Sequence, residues 1–199
     1  MPDARKERHH VPMTQAISPF EAIAVVEISS IARGYVVLDA IAKRARVTVR
    51  YARPVSPGKF VILFGGEVAC VQESFEAARE LAQGQLLDEL ILAQAHPQLL
   101  PAVDGTLDPA QGESVGIVEM HSVASAVEAA DIALKACEVS VARMQLAIGI
   151  GGKGYFVLAG PLADMEAALE TVRERVHEEQ LIAIELISNP HDEVRGFLS

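Results

Sequence analysis

The sequence has no tryptophan, only two cysteines, few aromatic residues and a shortage of positive charge. Each shortage removes a class of function. Cys70 and Cys137 lie far apart and in no CxxC pair. This argues against a disulfide framework or a thiolate metal site, and it fits a reducing cytosol. Lys and Arg number 17 against 27 Asp and Glu, a net charge of −10. Nucleic acid and anionic membrane surfaces both require a basic patch, so neither is expected as a partner. No apolar run reaches the roughly 18 residues of a membrane span. The first residues, MPDARKERHHVPMTQ, carry charges with no apolar run behind them, unlike a secretory signal. Residues 1–21 read as a mobile arm, with His9 and His10 part of a solvated tail. No metal site is expected.

What the chain does have is aliphatic side chains. Half of its 199 residues are hydrophobic, mostly Ala, Val, Ile and Leu, and mean hydropathy is +0.25. Such a chain fills small cores and still has apolar surface to bury against copies of itself. The plainer alternative is an ordinary α/β domain.

The chain is also two copies of one unit. VVEISSIA around Glu27 matches IVEMHSVA around Glu119. At the same offset of 92, Asp39 matches Asp131, Lys43 matches Lys135, and Val47 and Val49 match Val139 and Val141. Further on the offset is 94: Gly58-Lys59 matches Gly152-Lys153, Gly66 matches Gly160, and Arg79-Glu80 matches Arg173-Glu174. Leu87 and Leu92 are paired at that offset with Leu181 and Leu186. A duplication followed by one loop insertion produces this pattern. The domains are drawn at 22–97 and 114–191, with a linker at 98–113 rich in Pro, Gly and Asp and a tail at 192–199. Units this small are expected to pack on each other.

Each unit reads βαββαβ, an α/β (α+β) fold with a ferredoxin-like sheet and helices on one face. The strands are expected at 22–28, 47–54, 59–64 and 87–95, then at 115–120, 139–147, 154–159 and 181–188. The helices are expected at 31–44 and 68–82, then at 123–136 and 162–178. Ile31, Val36, Leu38, Ile41 and Ala42 roughly mark the buried stripe of the first helix.

The glycines of AIGIGGKGYFVLAG suggest a nucleotide loop at a glance. A dinucleotide fingerprint needs a helix after the glycines, and here a strand follows; a phosphate-binding loop needs Gly-Lys followed by Ser or Thr, and Gly154 follows Lys153. Two readings remain: a hairpin turn that needs positive φ, or a loop crowded against other chains round an axis. VSPGK occupies the equivalent place in the first unit. No catalytic set is legible. His121 stands alone, His96 and His191 each sit beside a proline at a unit's end, and His177 lies on a charged helix face. Cys70 and Cys137 read as small apolar residues within helices. Glu27 and Glu119 read as satisfied carboxylates at strand ends. Lys43 and Lys135 end the first helices, where a cation complements the helix dipole.

The ordered set IVEMHSVASAVEAADIALKACEV, then a turn of small residues, a strand ending in Gly, a helix and a strand ending in NPH resembles the bacterial microcompartment shell domain. It occurs twice and covers nearly all of the chain outside the arm and linker. Tandem members of that family form trimers that mimic a hexamer. The resemblance therefore implies a homotrimeric pseudohexamer that tiles into a shell with hexameric and pentameric shell proteins around encapsulated enzymes. It implies a central pore that passes small polar metabolites. The pore lining maps to Ser56, Pro57 and Gly58 and to Ile150, Gly151 and Gly152; the contact between tiles maps to Lys43 and Lys135. It implies a structural protein of the bacterial cytoplasm, with no catalytic residues and no cofactor.

The departures from the family pattern also carry information. Asn189 stands where the family often has an arginine that reaches the next disc, and the first unit ends LAQAHP, so edge contacts are expected to differ. Neither pore loop has a cysteine for an iron–sulfur cluster. Both units keep the unpermuted order and the pore segments carry no acidic residue, which implies a single-layer trimer with an ungated pore. Two other functions compete: a trimeric sensor of ferredoxin-like fold binding small molecules between subunits, and an enzyme whose site forms from several chains.

Overall fold

The computed structural model describes residues 20–107 and 112–198. The expected arm, with its His pair, lies outside these residues apart from its last two. The first unit runs β1 (Ala22–Ile28), α1 (Ile31–Arg44), β2 (Thr48–Val55), β3 (Lys59–Gly66), α2 (Val68–Ala82) and β4 (Leu86–Ala93). A helical turn, α3 (Leu99–Asp104), follows. The second unit runs β5 (Ser114–Met120), α4 (Val123–Ala136), β6 (Ser140–Leu146), β7 (Gly154–Gly160), α5 (Leu162–Arg175) and β8 (Leu181–Ile187), with α6 (Asp192–Leu198) at the end. The sheets have the orders β2-β3-β1-β4 and β6-β7-β5-β8, and every pairing is antiparallel.

The central strand β1, AIAVVEI, is buried along its whole length. A strand covered on both faces needs apolar residues at every position and not at alternate ones. Ala22, Ala24, Val26 and Ile28 join Phe60, Ile62 and Phe64 in a core with Val37 and Ile41 of α1 and Val71 and Phe75 of α2. The opposite face, with Ile23, Val25, Val61, Leu63 and Leu90, packs into a core shared with Val123, Ala124 and Val127 of α4. The second unit's first helix therefore lies between two sheets.

The two first helices start alike. The Ser30 hydroxyl accepts the Arg33 N–H at 3.3 Å, and the Ser122 hydroxyl accepts the Ser125 N–H at 3.0 Å. Each serine satisfies one of the free donors of a helix start. Their surroundings then diverge. In α4, 11 of 14 residues are buried; in α1 only Gly34, Val37 and Ile41 are. The stripe expected for α1 is thus corrected: Ile41 is buried and Leu38 half-buried, while Ile31, Val36 and Ala42 are exposed, as is Tyr35. The apolar residues of α1 are spread over two faces, and its own sheet covers one.

Three local expectations shift. The helix expected at 162–178 stops at Arg175, and a 3-10 turn at Glu178–Gln180 leads into β8. The strand expected at 87–95 ends at Ala93, because Gln94 turns into the left-handed region at φ 55°. The repeat also slips once more. Ile28 pairs with Leu86 and Met120 with Leu181, so Leu86 and Ile91 match Leu181 and Leu186, one residue off the sequence pairing. Both alignments superpose aliphatic residues, so composition alone does not separate them. The stretch read as a linker contains α3, whose Leu99 and Ala102 are buried and whose Asp104 forms an ion pair with Arg50. The Gln98 side chain accepts the Val141 N–H at 3.1 Å and holds this segment against β6.

Candidate functional site

The β2–β3 and β6–β7 hairpin loops lie together. The first is short: Gly58 adopts φ 109° and its N–H donates to Val55 O at 2.9 Å. The second is two residues longer and needs Ala147, Gly149, Gly151 and Gly152 all at positive φ. That conformation is routine only for glycine, which explains the glycine-rich run. Gly152 has a second reason to be glycine. A Cβ there would lie 2.6 Å from Ser56 O, 3.1 Å from Pro57 Cδ and 3.2 Å from Lys59 Cε. Of the six residues mapped to the lining, Ser56, Pro57, Gly58 and Gly151 are exposed and Ile150 is half-buried. Gly152 is buried and faces the neighbouring loop.

Behind each loop lies a carboxylate–lysine pair. Lys59 Nζ lies 3.2 Å from Glu27 Oε2, and Lys153 Nζ lies 2.9 Å from Glu119 Oε1. The carboxylates end the central strands and the lysines open β3 and β7, so the pairs are equivalent. Glu27 does more. Its Oε1 accepts the N–H groups of Val123 at 2.5 Å and Ala124 at 2.9 Å, the first residues of α4. A carboxylate there satisfies orphan donors and meets the positive end of the helix dipole. Burial pushes the Glu27 carboxyl above its ordinary range, while Lys59 and the Ala124 N–H pull it back down. Its side chain is 0% exposed, against 36% for Glu119, whose charged partner among the described residues is Lys153.

Lys43 and Lys135 occupy the last turns of α1 and α4, and each reaches the aspartate one turn back, Asp39 at 2.6 Å and Asp131 at 2.5 Å. Among the described residues neither makes a hydrogen bond or ion pair to the loops. The Asp131 carboxylate also accepts the His96 N–H at 2.8 Å, a bond between the domains. The Ser122 hydroxyl donates to Asp88 of β4 and adds another. Sequence reasoning missed the parts played by Glu27, Asp131 and His96 in joining the domains. The one available signal was the repetition of Glu27 as Glu119 and Asp39 as Asp131.

The other marked residues are scattered. His121 and His191 are exposed, and His96 Nδ1 accepts the Gln98 N–H at 3.3 Å. Burial, the larger effect, lowers the His96 pKa, with Asp131 opposing it. Cys70 lies in α2, whereas Cys137 caps the end of α4 and does not lie inside it; both are half-buried. Burial raises the Cys137 thiol. Asn189 accepts from the Arg195 guanidinium of α6 at 3.2 Å, and the same guanidinium donates to Gly112 O at 2.8 Å. Among the described residues no group of three or more His, Cys, Asp or Glu is placed to hold a metal ion. Nor is any helix there long and apolar enough to cross a membrane.

Comparison with known proteins adds the following. The BMC domain family model matches residues 22–95 and again 114–190. The bacterial microcompartment shell protein PduT of Citrobacter freundii is 38% identical over 173 residues, 86% of this chain and 94% of that protein. The crystal structure of a microcompartments protein from Desulfitobacterium hafniense superposes with a TM-score of 0.79 at 37% identity, covering 89% of this chain and 99% of the other. The fused permuted hexameric shell protein MSM0275 from the RMM microcompartment superposes at 0.59 with 22% identity, covering 77% and 80%, a likeness of fold alone.

Proposed function

This chain belongs to the BMC domain family, with two such domains in tandem, and from that premise we propose that it is a structural shell protein of a bacterial microcompartment. Three copies form a pseudohexamer of six domains. The trimers tile with other shell proteins round encapsulated enzymes in the bacterial cytoplasm, and small polar metabolites pass through a central pore.

The observation that carries the pore assignment is the meeting of the two hairpin loops at Gly152, Ser56 and Pro57. Rotational symmetry would bring three such loop pairs to one axis. Bulky side chains would collide there, and at the point where the loops meet stand Ser56, Pro57, Gly151 and Gly152, with Ile148 and Ile150 the larger side chains of the second loop. Their lysines, Lys59 and Lys153, are neutralised by Glu27 and Glu119. Loop backbone N–H groups and the Ser56 hydroxyl therefore supply the polarity, which suits polar or anionic solutes. The exposed apolar residues Ile31, Tyr35 and Val36 suit a surface buried on assembly. Lys43 and Lys135, which make no hydrogen bond or ion pair to the loops among the described residues, are assigned to the outer edge between tiles.

The test is the mass of the purified protein by light scattering, with the same sample viewed by negative-stain microscopy. Three times the 21.3 kDa chain, with flat hexagonal discs or sheets, is the expected result. A monomer at all concentrations sinks the proposal, because the pore exists only where three chains meet.

A further inference from the structure

The contact between the two domains is a seam whose two halves each recur elsewhere in the chain with their polar groups and part of their apolar surface uncovered: on the second sheet Val115 and Val157 are already buried, while Ile117 and Glu119 are partly exposed. One half is the outer face of the first sheet, with Ile23, Val25 and Leu63 and the Glu27 carboxylate at its end. The strand registers place Val115, Ile117, Val157 and Glu119 at the same positions of the second sheet. The other half is the start of α4, with Val123, Ala124 and Val127. Its counterpart is the start of α1, with Ile31, Ala32 and Tyr35. In the first seam these groups are buried: Glu27 is 0% exposed and Val123 1%. In the unpaired copies Glu119 is 36% exposed, Ile31 39% and Tyr35 57%.

The electrostatics are unfinished in the same places. No acidic residue lies in the first turn of α1, and Ser30 satisfies only the Arg33 N–H. The N–H groups of Ile31 and Ala32 are the donors that correspond to those of Val123 and Ala124, which Glu27 occupies. Glu119 holds its lysine as Glu27 does and has unused acceptor capacity. Asp39 repeats the pattern: its side chain is 62% exposed, whereas Asp131 is 5% exposed and takes the His96 N–H.

We propose that the Glu119 carboxylate caps helix α1 of a second copy of this chain by accepting the backbone N–H groups of that copy's Ile31 and Ala32. The inference rests on the trimer reading above and names the contact that closes it. The apolar outer face of the second sheet covers the second copy's Ile31 and Tyr35, as the first sheet covers Val123 and Val127. A surface that joins a different surface of an identical chain is heterologous, and such contacts form a ring when the rotation closes. The new seam is not identical to the internal one. Ala183 takes the register position of Asp88, so the bond to the helix-start serine, made by Asp88 to Ser122, is missing between chains. That makes the Glu119 cap the main polar contact at this point of the seam.

The test uses the full chain and follows trimer dissociation by sedimentation over a dilution series, with circular dichroism to confirm folding. Glu119→Ala removes the acceptor. Ile31→Pro removes one donor at the first helical position, where proline is tolerated, and Ser30 already has the extended backbone that proline requires before it. Each variant is expected to keep its fold and to raise the dissociation midpoint by about tenfold or more. The double variant is expected to raise it by less than the product of the two, because the hydrogen bond from the Ile31 N–H to Glu119 is counted in both single variants, whereas the apolar contact of the Ile31 side chain is lost only through Ile31→Pro. Wild-type midpoints for both single variants, or a strictly multiplicative double variant, overturn the cap and leave the trimer intact as a reading. A wild-type chain that is monomeric throughout overturns the trimer reading itself.

Discussion

The backbone N–H of His96, at the end of the first domain, donates to the carboxylate of Asp131 in the second at 2.8 Å, and Lys135 holds the other oxygen of that carboxylate at 2.5 Å. Asp131 is thus a shared acceptor in the domain seam, and Lys135 is its counter-ion. Replacing Lys135 with Ala leaves a buried carboxylate with one neutral donor. The expected cost is about 1–2 kcal/mol, seen as a lower urea midpoint. The equivalent pair, Lys43 with Asp39, is exposed on both sides, and Lys43→Ala is expected to cost about 0.5 kcal/mol or less. Both variants should still form trimers and both should assemble poorly into sheets under the microscope. Loss of the trimer in either would show that the lysine serves the fold and not the edge.

Glu27→Ala is expected to be the most damaging single change in the seam. It strips two N–H donors from the start of α4 and leaves Lys59, whose side chain is 19% exposed, without its counter-charge. Breaking a buried pair from one side costs on the order of 3 kcal/mol. Urea unfolding of the variant should show this loss. A change below about 1 kcal/mol would mean that water replaces the carboxylate at the helix start.

Stability should depend on pH through the same residue. Burial raises the Glu27 pKa in the folded chain above its ordinary 4.5, so the folded state holds this proton more tightly than the unfolded state. In that case stability falls as pH rises from 4.5 through the raised folded value. Relative to Glu27→Gln, the wild-type unfolding free energy should therefore decrease across that window and level off above it. A difference that grows with pH would show that Lys59 and the two N–H groups outweigh the burial.

The two loops should respond differently to bulk. A Cβ at Gly152 collides with Ser56 O, and the residue adopts φ +81°. Gly152→Ala should therefore cost about 1–3 kcal/mol, measurable as a lower melting temperature, and should not simply narrow an opening. Ser56 is exposed, so Ser56→Trp should leave stability nearly unchanged and, in the trimer, add three rings at the central opening. An unobstructed centre in the structure of that variant would rule out the lining assigned to the first loop.

The element order was legible because each signal is local. The apolar stripe places the first helix, the glycines of residues 149–154 mark a turn that favours positive φ, and the apolar run at 22–28 marks a strand; that Ser30 and Ser122 cap the helices and that the strand is covered on both faces came from the structure. The extra register slip before β8 was not legible, because aliphatic residues fill both alignments and only the strand pairings with β1 and β5 separate them. The direction of Gly152 was hidden for a related reason: the atom it avoids belongs to a residue almost half the chain away.

By itself the sequence determined that the chain is a duplicated βαββαβ unit, where its helices begin, and that its two central hairpins turn at glycines. Only the tertiary structure decided which of two equivalent helices is buried and which of two equivalent glutamates is a cap. Local sequence sets a residue's capacity to donate, accept or pack; burial depends on what stands opposite. The first sheet has the second domain's helix covalently supplied at its face, so Glu27 is enclosed. Glu119, with the equivalent lysine behind it, has no such helix among the described residues of its own chain.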